Sequence, residues 1–253
     1  MDKEKVVLAC RGGLDTYYCV KYLGEALGME VYTALANTGG FTADELEAVE
    51  KKAYELGAKK HVTIDITDEY YERCIRYMIF GNSLRNKTYP VSVSSERTFQ
   101  ALAIVRYAKD IGAQAIAHGS TGAGNDQVRF DLCFEVFAPD MKIITPTRDL
   151  KLSREQEINF LKEAGFDGDF TKMEYSINKG IWGTSVGGKE TLTSSKNLPE
   201  KAYPSQLEKE GTEEIEIEFE KGEPVALNGK KIKGVKFIQA LAEIASPWAI
   251  GRD

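Results

Sequence analysis

Strand-like and helix-like stretches alternate from residue 5 to residue 165, and this alternation narrows the possible folds more than anything else in the chain. Five short strand-like runs recur: "KVVLAC" (5–10), which is unbroken apolar, "EVYTALA" (30–36), "KHVTID" (60–65), "AQAIAH" (113–118) and "KIITPT" (142–147). An unbroken apolar run such as "KVVLAC" marks a strand buried on both faces. Between and after them lie "TYYCVKYLGEAL", "TADELEAVEKKAYEL", "TDEYYERCIRYMIF", "SSERTFQALAIVRYAKDIG" and "SREQEINFLKEAG", all of helical character. Thr42 with Glu45, and Ser153 with Gln156, have capping-box spacing. Gly28, Gly57 and Gly112 stand where helices should stop. Strands separated by crossover helices predict an α/β fold with a doubly wound, mostly parallel sheet.

The pattern changes after about residue 170. "YSINKGIWGTSVGGKETLTSSKNLP" (175–199) is rich in Gly and Ser and has neither helical nor strand period, so irregular chain is expected there. "EEIEIEFEKGEPVALNGKKIK" then alternates, and its Asn228-Gly229 step predicts a tight hairpin turn. "GVKFIQALAEIA" is an amphipathic helix. Two domains follow, 1–170 and 171–253, the second of α+β type.

With 253 residues, 42% hydrophobic and 28% charged, the chain can bury a full core. A net charge of −6 disfavours general attraction to nucleic acid or an anionic membrane. The start, "MDKEKVVLAC", runs directly into a strand without a signal-peptide core, which predicts a cytoplasmic protein. Cys10, Cys19, Cys74 and Cys133 show no C-x-x-C spacing and are expected as free thiols. Two histidines make a multi-histidine metal site improbable, so no metal held by protein side chains alone is expected. His61 and His118 read as structural. Tyr70, Tyr71 and Tyr77 read as the packing face of one helix.

Two loops carry the chemistry. "RGGLDTY" (11–17) follows the first strand. Gly12 and Gly13 let backbone N–H groups approach an anion, and the next helix aims its positive end at the same place. Asp15 suits either a helix cap or a magnesium ion carried by phosphates. The plain alternative is a tight strand-to-helix turn. "AHGSTGAGNDQVRFD" (117–131) follows the fourth strand, at the sheet edge where α/β ligand crevices form. Gly119, Gly122 and Gly124 open the backbone. Thr121, Asn125, Asp126 and Arg129 gather groups suited to an amino-acid zwitterion, with Asp126 for an ammonium and Arg129 for a carboxylate.

"RGGLDTY" resembles the S-G-G-x-D-[ST]-S pyrophosphate loop of the adenine-nucleotide α-hydrolase (PP-loop) superfamily, with Arg11 and Tyr17 in place of two hydroxyl residues. "HGSTGAGNDQVRF" closely resembles the signature of the argininosuccinate synthase family. "LANTGG" (35–40), "TYPVSVSSER" (88–97), "YSINKGIWGTS" (175–185) and "IEFEKGEPVALNG" (217–229) match further family segments in order. The resemblance implies a Rossmann-like HUP domain at 1–170 that binds ATP. It makes 171–253 the N-terminal part of a synthetase and multimerisation domain that continues past Asp253 in the family. The implied reaction joins citrulline to aspartate through citrullyl-AMP, with ATP and Mg2+, releasing AMP and pyrophosphate. Ala9, Cys10, Arg11, Gly12, Gly13, Leu14, Asp15, Thr16, Tyr17, Ala36, His118 and Gly119 would bind ATP. Thr121, Asn125 and Asp126 would bind aspartate. Tyr89, Ser94, Asn125, Arg129, Ser176 and Ser185 would bind citrulline. Asp15, Asp126 and Arg129 would be catalytic, and Mg2+ would come with ATP rather than be held by protein side chains alone, with Asp15 a candidate to touch it. Plain alternatives are packing for Tyr89, an N-cap for Ser94 and irregular chain for Ser176 and Ser185. A homo-oligomer, tetrameric in full-length members, would be the assembly. A second possibility is a non-catalytic or impaired nucleotide-binding remnant of the same family, suggested by Arg11, Tyr17 and the missing C-terminal part. A tRNA-thiolating relative fits poorly, because the charge is negative and no cysteine lies in a motif.

Overall fold

The computed structural model describes residues 3–122, 124–166 and 175–252. In chain order the elements are β1 (Lys5–Ala9), α1 (Leu14–Lys21), β2 (Glu30–Asn37), α2 (Ala43–Glu55), β3 (Lys60–Asp65), α3 (Thr67–Tyr70), α4 (Arg76–Phe80), α5 (Ser92–Asp110), β4 (Ala115–His118), α6 (Asp126–Phe137), β5 (Lys142–Ile144), α7 (Pro146–Asp149) and α8 (Arg154–Glu163). Then follow β6 (Ser176–Gly180), β7 (Gly183–Gly187), β8 (Ile217–Glu220), β9 (Glu223–Leu227), β10 (Lys230–Lys231) and α9 (Gly234–Ala245). They fall into two compact units. One holds Met1–Asn37, Phe41–Ile66 and Glu96–Lys172, and the other Thr38–Gly40, Thr67–Ser95 and Met173–Asp253.

The first unit is a five-stranded sheet in the order β3-β2-β1-β4-β5, with every pairing parallel. This is the α/β architecture expected from the alternating runs. Strand alternation splits the core between the two faces. Val6 and Leu8 of β1 face one way, into a cluster with Leu14, Tyr18, Val20, Ala53 and Leu161. Val7 faces the other way, with Ala101, Ile104, Val105, Ile116 and Phe134. Both expected capping boxes form. The Thr42 and Glu45 backbone N–H groups donate to each other's side chains at 2.8 and 3.3 Å, and Ser153 and Gln156 do the same at 2.8 and 3.3 Å. β1, β4 and β5 are shorter than the runs that predict them, whereas β3 matches its run and β2 extends one residue further, to Asn37. "KIITPT" stops at Ile144, because Pro146 lacks an N–H for the ladder and instead opens α7.

The second unit carries two antiparallel sheets, β10-β9-β8 and β6-β7. The Asn228-Gly229 turn joins β9 to β10 as expected, with both residues at positive φ. The segment expected to be irregular instead contains a hairpin, β6-β7. Its residues are mostly small or polar and partly exposed, with one large apolar residue in each strand, so no apolar alternation announces it. Of the three tyrosines on the 67–80 stretch, Tyr70 and Tyr71 are buried, but Tyr77 is 60% exposed. The expected packing role therefore fails for Tyr77. A π-helical turn at Tyr71–Ile75 inserts between α3 and α4 and shifts the later residues around the axis.

Candidate active site

β1 and β4 are adjacent in the sheet, yet their following connections diverge to opposite sides of the strand order. This is a topological switch point, where α/β sheets open a crevice at their carboxyl edge. Both chemistry-bearing loops start there. They also touch. A Cβ on Gly119 would come 3.0 Å from the Asp15 carbonyl, so only glycine allows this approach without a shift. Gly12 adopts φ +78°, and a Cβ there would run into Val49 at 2.5 Å. Thr16 secures the turn, accepting from the Gly13 N–H at 3.1 Å and donating to the Gly13 carbonyl at 2.8 Å. Such a cradle, opening on the N-terminus of α1, fits a phosphate chain.

The two unusual loop residues go different ways. Tyr17 is buried beneath the loop, its ring 5.8 Å from that of Phe166, with the Lys52 ammonium 5.6 Å away. Its hydroxyl reaches the back of Gly12. Arg11 turns toward Phe41, with 6.0 Å from guanidinium carbon to ring centroid. Asp15 points into α8 and shares a hydrogen bond with Glu157, which also accepts from the Thr147 hydroxyl at 2.9 Å. Burial, then the charge of Asp15, raises the Glu157 pKa to about 8.

Asp126 opens α6, and both of its oxygens are held by arginines. Oδ2 accepts from Arg97 Nε and Oδ1 from Arg129 Nη1, each at 3.0 Å. Arg97 is 1% exposed and also donates to Glu96 at 3.0 Å and Gln100 at 2.8 Å. Gln100 reaches on to the Ala36 carbonyl at 3.5 Å. This network ties strand β2 to the loop after β4. Thr121 and Asn125 are exposed on that loop.

His118 is a satisfied buried side chain. Its Nδ1 accepts from the Ser120 backbone N–H at 3.1 Å, so the ring proton sits on Nε2 and is donated to Asp131 Oδ1 at 2.8 Å. Burial opposes the Asp131 charge, but hydrogen bonds from His118 and Arg148 outweigh it and hold its pKa below the ordinary carboxylate range. Arg148 also donates to Gln127 at 3.2 Å, and Gln127 donates to the carbonyls of Gly122 and Gly124. Asp131 thus anchors the signature loop through two routes. Asp131→Asn is expected to cost about 1–2 kcal/mol in denaturant unfolding and to speed hydrogen exchange at the Ser120 amide. Unchanged exchange there would remove the anchoring role.

In the second unit, Tyr89 and Ser94 sit at the start of α5. The Val93 N–H donates to the Tyr89 hydroxyl at 3.0 Å, and Ser94 Oγ donates to the Val91 carbonyl at 3.2 Å. Ser94 is therefore not the N-cap of α5, which begins at Ser92. Ser176 and Ser185 share one face of the β6-β7 hairpin, because Ser176 pairs with Gly187 and Ser185 with Asn178. Trp182 Nε1 donates to the Pro90 carbonyl at 2.9 Å and brings the hairpin beside residues 89–94.

The family model for the Arginosuccinate synthase N-terminal HUP domain matches residues 5–167, and that for the Arginosuccinate synthase C-terminal domain matches 175–253. The chain belongs to the argininosuccinate synthase family. It is 41% identical over 249 residues to the argininosuccinate synthase of Sulfurisphaera tokodaii, covering 98% of this chain and 63% of that protein. It is 39% identical to that of Methanocaldococcus jannaschii, over 97% of this chain and 62% of that protein. With the Dictyoglomus thermophilum argininosuccinate synthase it shares 38% identity, over 100% and 64%. The chain thus spans less than two-thirds of the length of these argininosuccinate synthases. Among the described residues no helix is long and apolar enough to cross a membrane, and no cluster of three or more His, Cys, Asp or Glu side chains stands ready to hold a metal ion.

Sequence reasoning passed over Arg97, Glu96, Gln100, Asp131, Arg148 and Glu157. Glu157 alone left a trace, as a charged residue one turn before the buried Leu161 on α8.

Proposed function

We propose that this chain carries the nucleotide-binding part of an ATP-dependent ligase that joins citrulline to aspartate. The meeting of the β1 and β4 loops, with Gly119 against Asp15, is the observation that carries it. ATP is the substrate, and Mg2+ enters with its phosphates. Residues 1–170 form the nucleotide domain. Ala9 to Tyr17 line the phosphates, Ala36 the base, and His118 and Gly119 the ribose side through their backbone. Residues 171–253 begin the synthetase domain.

The citrulline ureido oxygen attacks the α-phosphate, giving citrullyl-AMP and pyrophosphate. The aspartate amino group then displaces AMP to give argininosuccinate. Neither step needs a side-chain nucleophile, so catalysis is positioning and charge stabilisation. Thr121, Asn125 and Asp126 bind aspartate. Tyr89, Ser94, Asn125, Arg129, Ser176 and Ser185 bind citrulline. Asp126 and Arg129 act as catalytic groups at the reacting ends, and Asp15 supports the phosphate loop. The enzyme works in the cytoplasm, as a homo-oligomer, on small molecules. The negative net charge speaks against nucleic acid as a substrate.

The test is incubation with ATP, citrulline and aspartate. Pyrophosphate formed only when citrulline is present supports the proposal. ATP binding without pyrophosphate under any substrate combination supports the non-catalytic remnant instead.

A further inference from the structure

Within the second unit, a cavity of about 420 Å³ lies among the helical stretch 68–76, the start of β9 and the start of α9. That volume is in the range of small-molecule pockets. None of its lining residues belongs to the sets proposed above for ATP, citrulline or aspartate. Tyr71 closes one wall. Its ring would meet a Cβ on Gly234 at 3.5 Å, and its hydroxyl donates to Glu223 at 2.9 Å. Arg76 donates to Glu72 and, at 3.3 Å, to Glu223. These contacts tie the π-helical turn to β9 and hold two carboxylates in the wall. Asp68 adds a third carboxylate, and Lys233 and Lys236 line the cavity from α9. Among the described residues, the side chains of Asp68, Lys233 and Lys236 make no hydrogen bond or ion pair.

The charges of this wall define its occupant. The open N–H groups at a helix start favour negative charge and disfavour positive charge. The first turn of α9 nevertheless holds no acidic residue, no side chain caps it, and Lys233 and Lys236 stand there. An anionic group would relieve that repulsion. Across from α9, Asp68, Glu72 and Glu223 outnumber Arg76, which leaves an excess of negative charge. The six charges sum to zero, yet no ion pair joins the lysines to the carboxylates. A simple anion answers only the lysines, and a simple cation only the carboxylates. A molecule with both charges on a short backbone answers both. We propose that this cavity binds a zwitterionic α-amino acid, its carboxylate toward Lys233, Lys236 and the first N–H groups of α9, its ammonium toward Asp68 and Glu223. The site is built from other residues than the loops after β1 and β4, and it does not rest on the nucleotide reading.

Titrating glycine, L-leucine and L-glutamine at millimolar concentrations into the isotope-labelled 253-residue chain tests it, with amide chemical shifts as the readout. Shifts are expected at Gly234, Val235 and Lys236. N-acetyl-L-glutamine lacks the ammonium and L-glutaminamide lacks the carboxylate, so each should bind roughly tenfold or more weakly than L-glutamine. Asp68→Asn and Lys236→Gln should weaken L-glutamine by a similar factor, and the blocked ligands give the same reading without any mutation. No shift in the cavity with any of the three amino acids overturns the proposal. So does a shift confined to residues 119–129, because the amino acid then occupies only the signature loop. Equal binding of N-acetyl-L-glutamine and L-glutamine also overturns it, because the cavity then takes a carboxylate alone.

Discussion

Arg97→Met is expected to destabilise the chain by about 3–5 kcal/mol, the typical cost of removing one partner from a buried charged network. Glu96, itself 2% exposed, loses the Nη1 contact, Asp126 loses the Nε contact, and Gln100 loses its donor. For a domain whose total stability is about 5–15 kcal/mol, this is a large fraction. Arg97→Lys keeps the charge but not the three-way fork, and should recover only part of the loss. The guanidinium chloride midpoint reads the effect. A midpoint for Arg97→Met within error of wild type would show that the network is solvated rather than buried. The loss should also loosen Asp126, so the methionine variant should bind aspartate more weakly than its residual folded fraction explains.

Wild-type stability should fall as pH rises from about 5 to about 8, and Glu157→Gln should remove most of that fall. Folding raises the Glu157 pKa from 4.5 to about 8, so the folded chain keeps a proton that the unfolded chain has released. The proton-linked stability is fully present below the ordinary carboxylate range. It is lost progressively as pH climbs through the folded value. The effect at pH 8 is of the order of a few kcal/mol. Glutamine is neutral at every pH. Its carbonyl can accept from Thr147, and its amide can donate to Asp15. Melting temperatures of the two proteins across this range decide the matter, and parallel curves would contradict a protonated Glu157. Arg154, Tyr18 and Cys19 also face this pocket, and Arg154 pulls the Glu157 pKa down against burial and Asp15.

These two residues show what could be read from the chain and what could not. β1, β2 and β4 announced themselves because parallel strands are covered on both faces and leave long apolar runs. The two caps and the Asn228-Gly229 turn were legible because each is settled within four residues by local hydrogen bonding. The signature loop was legible because glycines and functional groups crowd together there. Arg97 and Glu157 lie in helical segments rich in charge, where a buried charged residue looks like its solvated neighbours. Only tertiary packing, which joins Arg97 to Asp126 across 29 residues, separates them. The β6-β7 hairpin was hidden for a different reason. Its ten strand residues hold only two large apolar side chains, Ile177 and Val186, which pair with each other, and the rest of the ladder is Ser, Gly, Asn, Thr and Lys.

The fate of Tyr17 was likewise set by packing. As a replacement in the loop it suggests altered contact with phosphate, yet its ring fills space against Phe166 under α1. Arg11, with a longer and charged side chain, lies against Phe41 instead.

The central claim is that a nucleotide's phosphates sit between the loops after β1 and β4. Titrating ATP into the isotope-labelled chain, followed by amide chemical shifts, tests it most directly. The largest shifts should fall on Gly12, Gly13, Thr16, Gly119 and Ser120, with smaller ones at Ala36 and none in β8, β9 or β10. No shift at these glycines at millimolar ATP, or shifts confined to the second unit, would contradict it.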